Sequence, residues 1–243
     1  MIRKARASTR AATVAKTATW HLIWFAGISA VSFLVPFLLT PVWRLQHDLY
    51  YLIYFVTTVS MLVAYLRSSG FDLDDRMRIR RRFSLVIGVA AAAFVVWSVL
   101  ARIEATPRPA GLYFVFEMFW RGAVYGVVDA LLLSAFPGLV ALGVMRSDVA
   151  GPLRRTAYGM LTLILVLVVT VGYHVGYDEL RDRDVVKPML GNVVISIPMI
   201  ATANPIGSIV AHTAMHLAAV MHAYESKDRL PPQVFVGRGH PRQ

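Results

Sequence analysis

The chain has 243 residues, 57% of them hydrophobic, a formal net charge of +11 and no cysteine. That apolar content, with a mean hydropathy of +0.57, places it among membrane proteins rather than ordinary soluble domains. The missing cysteine excludes disulfides and thiolate metal sites. Basic residues gathered between apolar runs are explained by membrane topology, so no nucleic-acid partner is expected.

Residues 1–19 form a basic segment with five Lys/Arg before Trp20. This start resembles a signal peptide, but the apolar run from Trp20 to Trp43 exceeds a signal core, so a retained first helix is expected. A helical crossing takes about 20 residues, and backbone groups in lipid must be satisfied internally, so the spans are helices. Apolar runs lie at 20–41, 48–66, 83–101, 112–145, 156–177 and 189–223. Trp20, Trp24, Trp43, Tyr50, Tyr51 and Tyr54 lie near run ends and are read as interfacial aromatics. Between the second and third runs, RMRIRRR (76–82) is a topology anchor whose charge also suits anionic lipid head groups. GVAAAA (88–93) offers a small-residue face for close helix packing.

Residues 112–145 would make a helix of about 50 Å, too long for one straight crossing, and Pro137-Gly138 is expected to break or kink it. In 189–223, the stretch TANPIGS offers Asn204 as an N-cap and Pro205 as a first helical residue. A new helix is expected to begin there. Residues 224–243, rich in Pro, Gly and charge, read as a flexible polar tail. The expected fold is an all-α polytopic transmembrane helix bundle. It is one domain over 20–223, with six or seven membrane-embedded helical segments and the last region broken at Asn204-Pro205.

Charge gives the orientation. With six simple crossings and a cytoplasmic N-terminus, 18 Lys/Arg lie inside and 6 outside, as the positive-inside rule requires. Hinging the last run at Asn204-Pro205 puts the tail outside and changes the split to 14 against 10. The hinge is preferred, because without it Glu117 and His174 lie near one membrane face and His212 near the other. The expected setting is a bacterial plasma membrane, with the lipid bilayer as partner.

Ionisable groups inside membrane helices are costly and usually face the bundle interior. Here they are Glu117, Arg121, Asp129, His174, His212, His216 and His222. Glu117 and Arg121, four apart, share a helix face, and Tyr125 and Asp129 continue that stripe in further four-residue steps. Taken alone, Glu117 and Arg121 read as a buried ion pair that fixes packing. His212 and His216 share a face, whereas His222 lies about 120° around the helix from His216 and reads as interfacial. The imidazole pair suits hydrogen bonds to neighbouring helices or metal chelation, although an HExxH motif is absent. Bis-imidazole haem ligation by His174 with His212 or His216 stays open.

The order of these elements adds a resemblance. FEMFWRG (116–122) is followed 53 residues after Arg121 by His174, and 38 residues later by His212 in PIGSIVAHTAMH. Over about residues 112–223 this resembles the CAAX protease and bacteriocin-processing (Abi) family of intramembrane endopeptidases, with motifs EExxxR, FxxxH and HxxxN. Arg121, Gly122 and Glu117 match the first motif, with Phe116 in place of its first glutamate. His174 matches the second, with Thr170 in place of phenylalanine. His212 matches the third, with His216 in place of asparagine.

The resemblance implies a hydrolase cleaving a peptide or lipidated peptide without a cofactor. Its catalytic set would be Glu117, Arg121, His174, His212 and His216. Arg121 would hold Glu117 ionised, Glu117 or His174 would take a proton from water, and His212 and His216 would face the developing oxyanion. The alternatives are a non-enzymatic membrane protein (scaffold, immunity factor or transporter) that keeps the polar cluster for packing, and a histidine-based metal or haem site.

Overall fold

A computed structural model describes residues 2–181 and 185–224, with side chains from Ala18 onward except that of Glu179. The expected tail beyond Tyr224, and the side chains of the basic segment up to residue 17, lie outside the described residues. Helix α1 (Ile2–Phe37) passes through Pro36 into a π turn, Leu38–Val42. Helix α2 (His47–Ser69) ends at Gly70, whose φ of 68° lets the chain turn back. A short α3 (Leu73–Arg78) is capped by Asp72, and Arg80 then leads into α4 (Arg81–Arg102). Next come α5 (Gly111–Val144), α6 (Pro152–Val175), α7 (Val186–Thr202) and α8 (Ile206–His222). No strand occurs among the described residues.

Five helices are long and apolar enough to cross a membrane: α1 from Ala18, α2, α4, α5 and α6. Helices α7 and α8 have 17 residues each, or about 25 Å, the short end of a span. The protein is therefore an all-α multi-pass helix bundle. Helix α5 is its axis: 83% of its apolar window is buried inside the protein, against 28–39% for the other four. Helices α1, α2, α6, α7 and α8 pack around it, and α4 closes the far side of α7 and α8.

The interruption expected at Pro137-Gly138 takes the form of a π turn just before Pro137. Helix α5 is continuous, but its hydrogen bonding widens into π turns at Met118–Val124 and Leu131–Ala135. The second π turn directly precedes Phe136–Val144, where Pro137 occupies a first-turn position that needs no amide hydrogen.

The expected break at Asn204-Pro205 is present, with the new helix starting one residue later than expected. Ala203 takes a left-handed conformation (φ 57°), and α8 starts at Ile206. Asn204 Oδ1 accepts the Ile206 amide at 2.9 Å, while its Nδ2 donates to the carbonyls of Arg76, Met77 and Ile79. The turn is thereby fastened to the start of α4. At the other end of α4, the Thr106 amide donates to the His222 carbonyl, and His222 Nε2 bonds the Ile103 carbonyl. So α8 runs parallel to α4, α7 runs antiparallel to both, and α8 ends opposite the Asn204 turn. Removing the Asn204 amide orphans three part-buried carbonyls, at a cost of roughly 2 kcal/mol. Asn204→Ala is expected to lower the thermal midpoint by about 4–8 °C, measured on the detergent-solubilised protein.

Small residues set the helix spacing. A Cβ on Gly207 would lie 2.2 Å from the Ser84 carbonyl oxygen, so α4 and α8 touch along their backbones. The small face of 88–93 continues this contact, with Ala91, Ala92 and Val95 packed beside Ala211 and Met215. The tyrosines correct the sequence reading. Trp20 and Trp43 are exposed at the bundle surface, but Tyr50, Tyr51 and Tyr54 point inward and are almost fully buried. Hydroxyl partners make that burial tolerable: Tyr50 bonds the Tyr177 hydroxyl, and Tyr54 donates to a carboxylate in the site below.

Candidate functional site

Helix α5 carries two polar centres at different depths. The first is Glu117–Arg121, one helical turn apart and each 1% exposed. Arg121 Nη1 donates to Glu117 Oε2 at 3.1 Å, and the Tyr224 hydroxyl donates to the same oxygen at 3.1 Å. The guanidinium also stacks 4.4 Å from the centre of the Tyr224 ring, a favourable cation–π arrangement. Glu117 is thus held by its own helix and by Tyr224, two residues past the end of α8. This is the buried ion pair that the four-residue spacing suggests.

The second centre lies eight positions beyond Arg121 and twelve beyond Glu117 along α5, on the order of 12–18 Å away along the axis. Asp129 Oδ1 accepts the Tyr54 hydroxyl at 2.5 Å. Asp129 Oδ2 faces two imidazoles of α8, at 3.6 Å from His212 Nε2 and 3.4 Å from His216 Nε2. The two rings stack nearly parallel, with planes 3° apart and centroids 5.1 Å apart. Tyr125 packs edge-on against His216 at 4.6 Å. All three ligand-type side chains are buried, and their donor atoms lie within 4.8 Å of one another.

Backbone approach makes this centre possible. A Cβ on Gly126 would sit 2.8 Å from Thr213 Cα and 3.3 Å from His216 Cβ. Only a glycine lets α8 come close enough to lay His212 and His216 over Asp129. The π turn at Met118–Val124 also contributes. In a regular helix each four-residue step drifts by about 40°. The wider π turn absorbs drift, so Glu117, Arg121, Tyr125 and Asp129 are all turned inward.

The five residues of the expected catalytic set therefore do not all converge on one carboxylate, although Tyr125 and Tyr173 connect His216 to His174. Glu117 and Arg121 bind each other and Tyr224. His212 and His216 gather on Asp129. His174, half-buried near the end of α6, donates from Nδ1 to the Thr170 carbonyl at 2.7 Å and packs against Tyr173. Asp129 belonged to the polar stripe but was not assigned to the imidazoles. The tyrosines around it carried no sequence signal of burial. Tyr50, Tyr125, Tyr173 and Tyr177 join their hydroxyls in one network beside this centre.

The separations at Asp129 decide what the centre suits. An N–H···O hydrogen bond to a carboxylate closes to about 2.7–2.9 Å, so 3.4 and 3.6 Å are too long. Two ligands on one tetrahedral metal with bonds of about 2.0–2.1 Å stand roughly 3.3 Å apart. The two separations at Asp129 come near that spacing, and the three donor atoms lie within 4.8 Å of one another. Two imidazoles and a carboxylate form a donor set suited to zinc or ferrous iron. Comparison with protein-family models, with curated proteins and with solved structures finds no match.

Proposed function

We propose that this chain is an intramembrane hydrolase whose reacting centre is Asp129, His212 and His216, with one divalent transition metal as its occupant. The observation that carries the reading is the pair of imidazole–carboxylate separations, 3.4 and 3.6 Å, in a buried cluster. A metal held by three protein ligands keeps a position for water and supplies Lewis acidity. The chain's own part is to fix the ligands. Tyr54 orients Asp129 by its hydrogen bond, Tyr125 braces His216, and Gly126 admits α8. Burial keeps bulk water from the centre, which strengthens its electrostatics.

The ordered resemblance to the CAAX protease and bacteriocin-processing family supports a peptide or lipidated peptide as substrate. On this reading the carboxylate that works with the imidazoles is Asp129, and Glu117–Arg121 is a packing pair. The basic end of the bundle, with loops 67–82 and 145–155, faces the cytoplasm of a bacterial cell. Fourteen Lys/Arg against ten support that orientation.

The test is cleavage of a peptide library by the purified protein in liposomes. His212→Ala is expected to abolish turnover and Glu117→Gln to retain it. Turnover lost in Glu117→Gln and kept in His212→Ala would overturn the assignment.

A second reading is a non-enzymatic membrane protein in which the cluster fixes helix packing. The enclosure of the centre favours it, since Asp129, His212 and His216 are only 2–3% exposed. On that reading no peptide is cleaved, and replacing the histidines lowers stability alone.

A further inference from the structure

The arginine run is left unexplained by the site. It stands at the end of the bundle where α4 begins, α6 begins and α7 ends. Arg78, Arg80, Arg81, Arg82 and Arg155 line a cavity of about 710 Å³ there. Their neighbour Arg154 is paired with Asp148, but none of these five makes an ion pair among the described residues. Five arginines line this cavity with no acidic residue in its lining, so they repel one another and leave a positive potential there. Such an arrangement is complementary to an anion.

A second cavity adjoins the first and has a different character. It has a volume of about 380 Å³, runs down between α6 and α7, and is walled by Met160, Leu163, Ile200 and Ala201. Arg80, Arg155 and Ala201 line both cavities. Arg80 holds a left-handed backbone conformation (φ 52°) as the chain passes from α3 into α4, and it stands at the seam. Met160 is more than half exposed at the bundle surface.

We infer that these two cavities form one binding site for an anionic phospholipid. The phosphate of the head group sits among Arg78, Arg80, Arg81, Arg82 and Arg155, and an acyl chain lies in the groove between α6 and α7. The charge sits at head-group level and the apolar groove descends from it, which is the order of parts in a lipid molecule. A free phosphate would use the arginines but not the groove. Guanidinium groups suit this role because their planar forks bind phosphate oxygens in pairs. The site is independent of Asp129, His212 and His216.

The test is native mass spectrometry of the full-length protein in detergent, with phosphatidylglycerol, phosphatidylcholine or inorganic phosphate added. One phosphatidylglycerol is expected to be retained, at least about tenfold more tightly than phosphatidylcholine. Arg80→Gln with Arg155→Gln is expected to weaken that binding about thirtyfold. Ala201→Trp fills the groove without changing charge, and it is expected to lose the lipid while the folded protein, checked by circular dichroism, still binds inorganic phosphate. Equal retention of both lipids, or unchanged retention by the arginine double variant, would overturn the proposal. Phosphatidylglycerol binding that survives Ala201→Trp would also overturn it, because it would leave a phosphate site without a lipid groove.

Discussion

Asp129→Ala is expected to bind no metal, while the wild-type protein binds about one equivalent. Asp129 Oδ2 is the atom both imidazoles face, so its removal leaves two stacked rings with no third donor. The thermodynamic signature is large. At a free metal concentration of about 100 Kd, binding to the folded state alone adds about 2.7 kcal/mol. For a chain of this length that raises the thermal midpoint by roughly 5–10 °C. Asp129→Ala should show no such rise at any metal concentration, and elemental analysis of the dialysed protein should read close to zero. A metal-dependent rise in Asp129→Ala equal to that of wild type would remove Asp129 from the centre.

The second large effect concerns the other polar centre. Arg121→Met leaves Glu117 buried without its cation, and breaking a buried pair on one side costs about 3–5 kcal/mol. The thermal midpoint should fall by about 6–20 °C. The double variant Glu117→Gln with Arg121→Met removes both charges together, and it should recover most of the loss, because uncharged side chains of similar volume need no ion-pair partner. Neither variant should change metal content. This pattern marks a packing pair, and it differs from what a catalytic pair would give. A catalytic Glu117 would make the double variant stable but inactive, with no recovery of turnover alongside the midpoint.

Much of the architecture could be read from the residues. Long apolar runs show helical crossings, and Asn204-Pro205 marks the hinge through capping chemistry that operates locally. The inward stripe of Glu117, Arg121, Tyr125 and Asp129 follows from four-residue spacing. The partner choice does not. Whether His212 and His216 meet Glu117 or Asp129 depends on how far α8 slides along α5. That offset is set by Gly126 against Thr213 and by the fastening of Asn204 to the carbonyls before α4. These are contacts between residues far apart in sequence, and spacing along one helix carries no information about them. The π turns are equally silent, because they change helical phase without a characteristic residue. Tyr50, Tyr51 and Tyr54 were misread because a tyrosine near a span end suits both the interface and a buried hydroxyl network. Only the positions of Tyr173, Tyr177 and Asp129 distinguish the two.

X-ray absorption at the metal edge of the purified wild-type protein tests the central claim most directly. Two imidazole nitrogens and at least one carboxylate oxygen at about 2.0–2.1 Å, in a protein carrying one metal per chain, is the predicted result. A stoichiometric metal without imidazole scattering, or a metal-free protein after growth and purification with zinc and iron supplied, would contradict it.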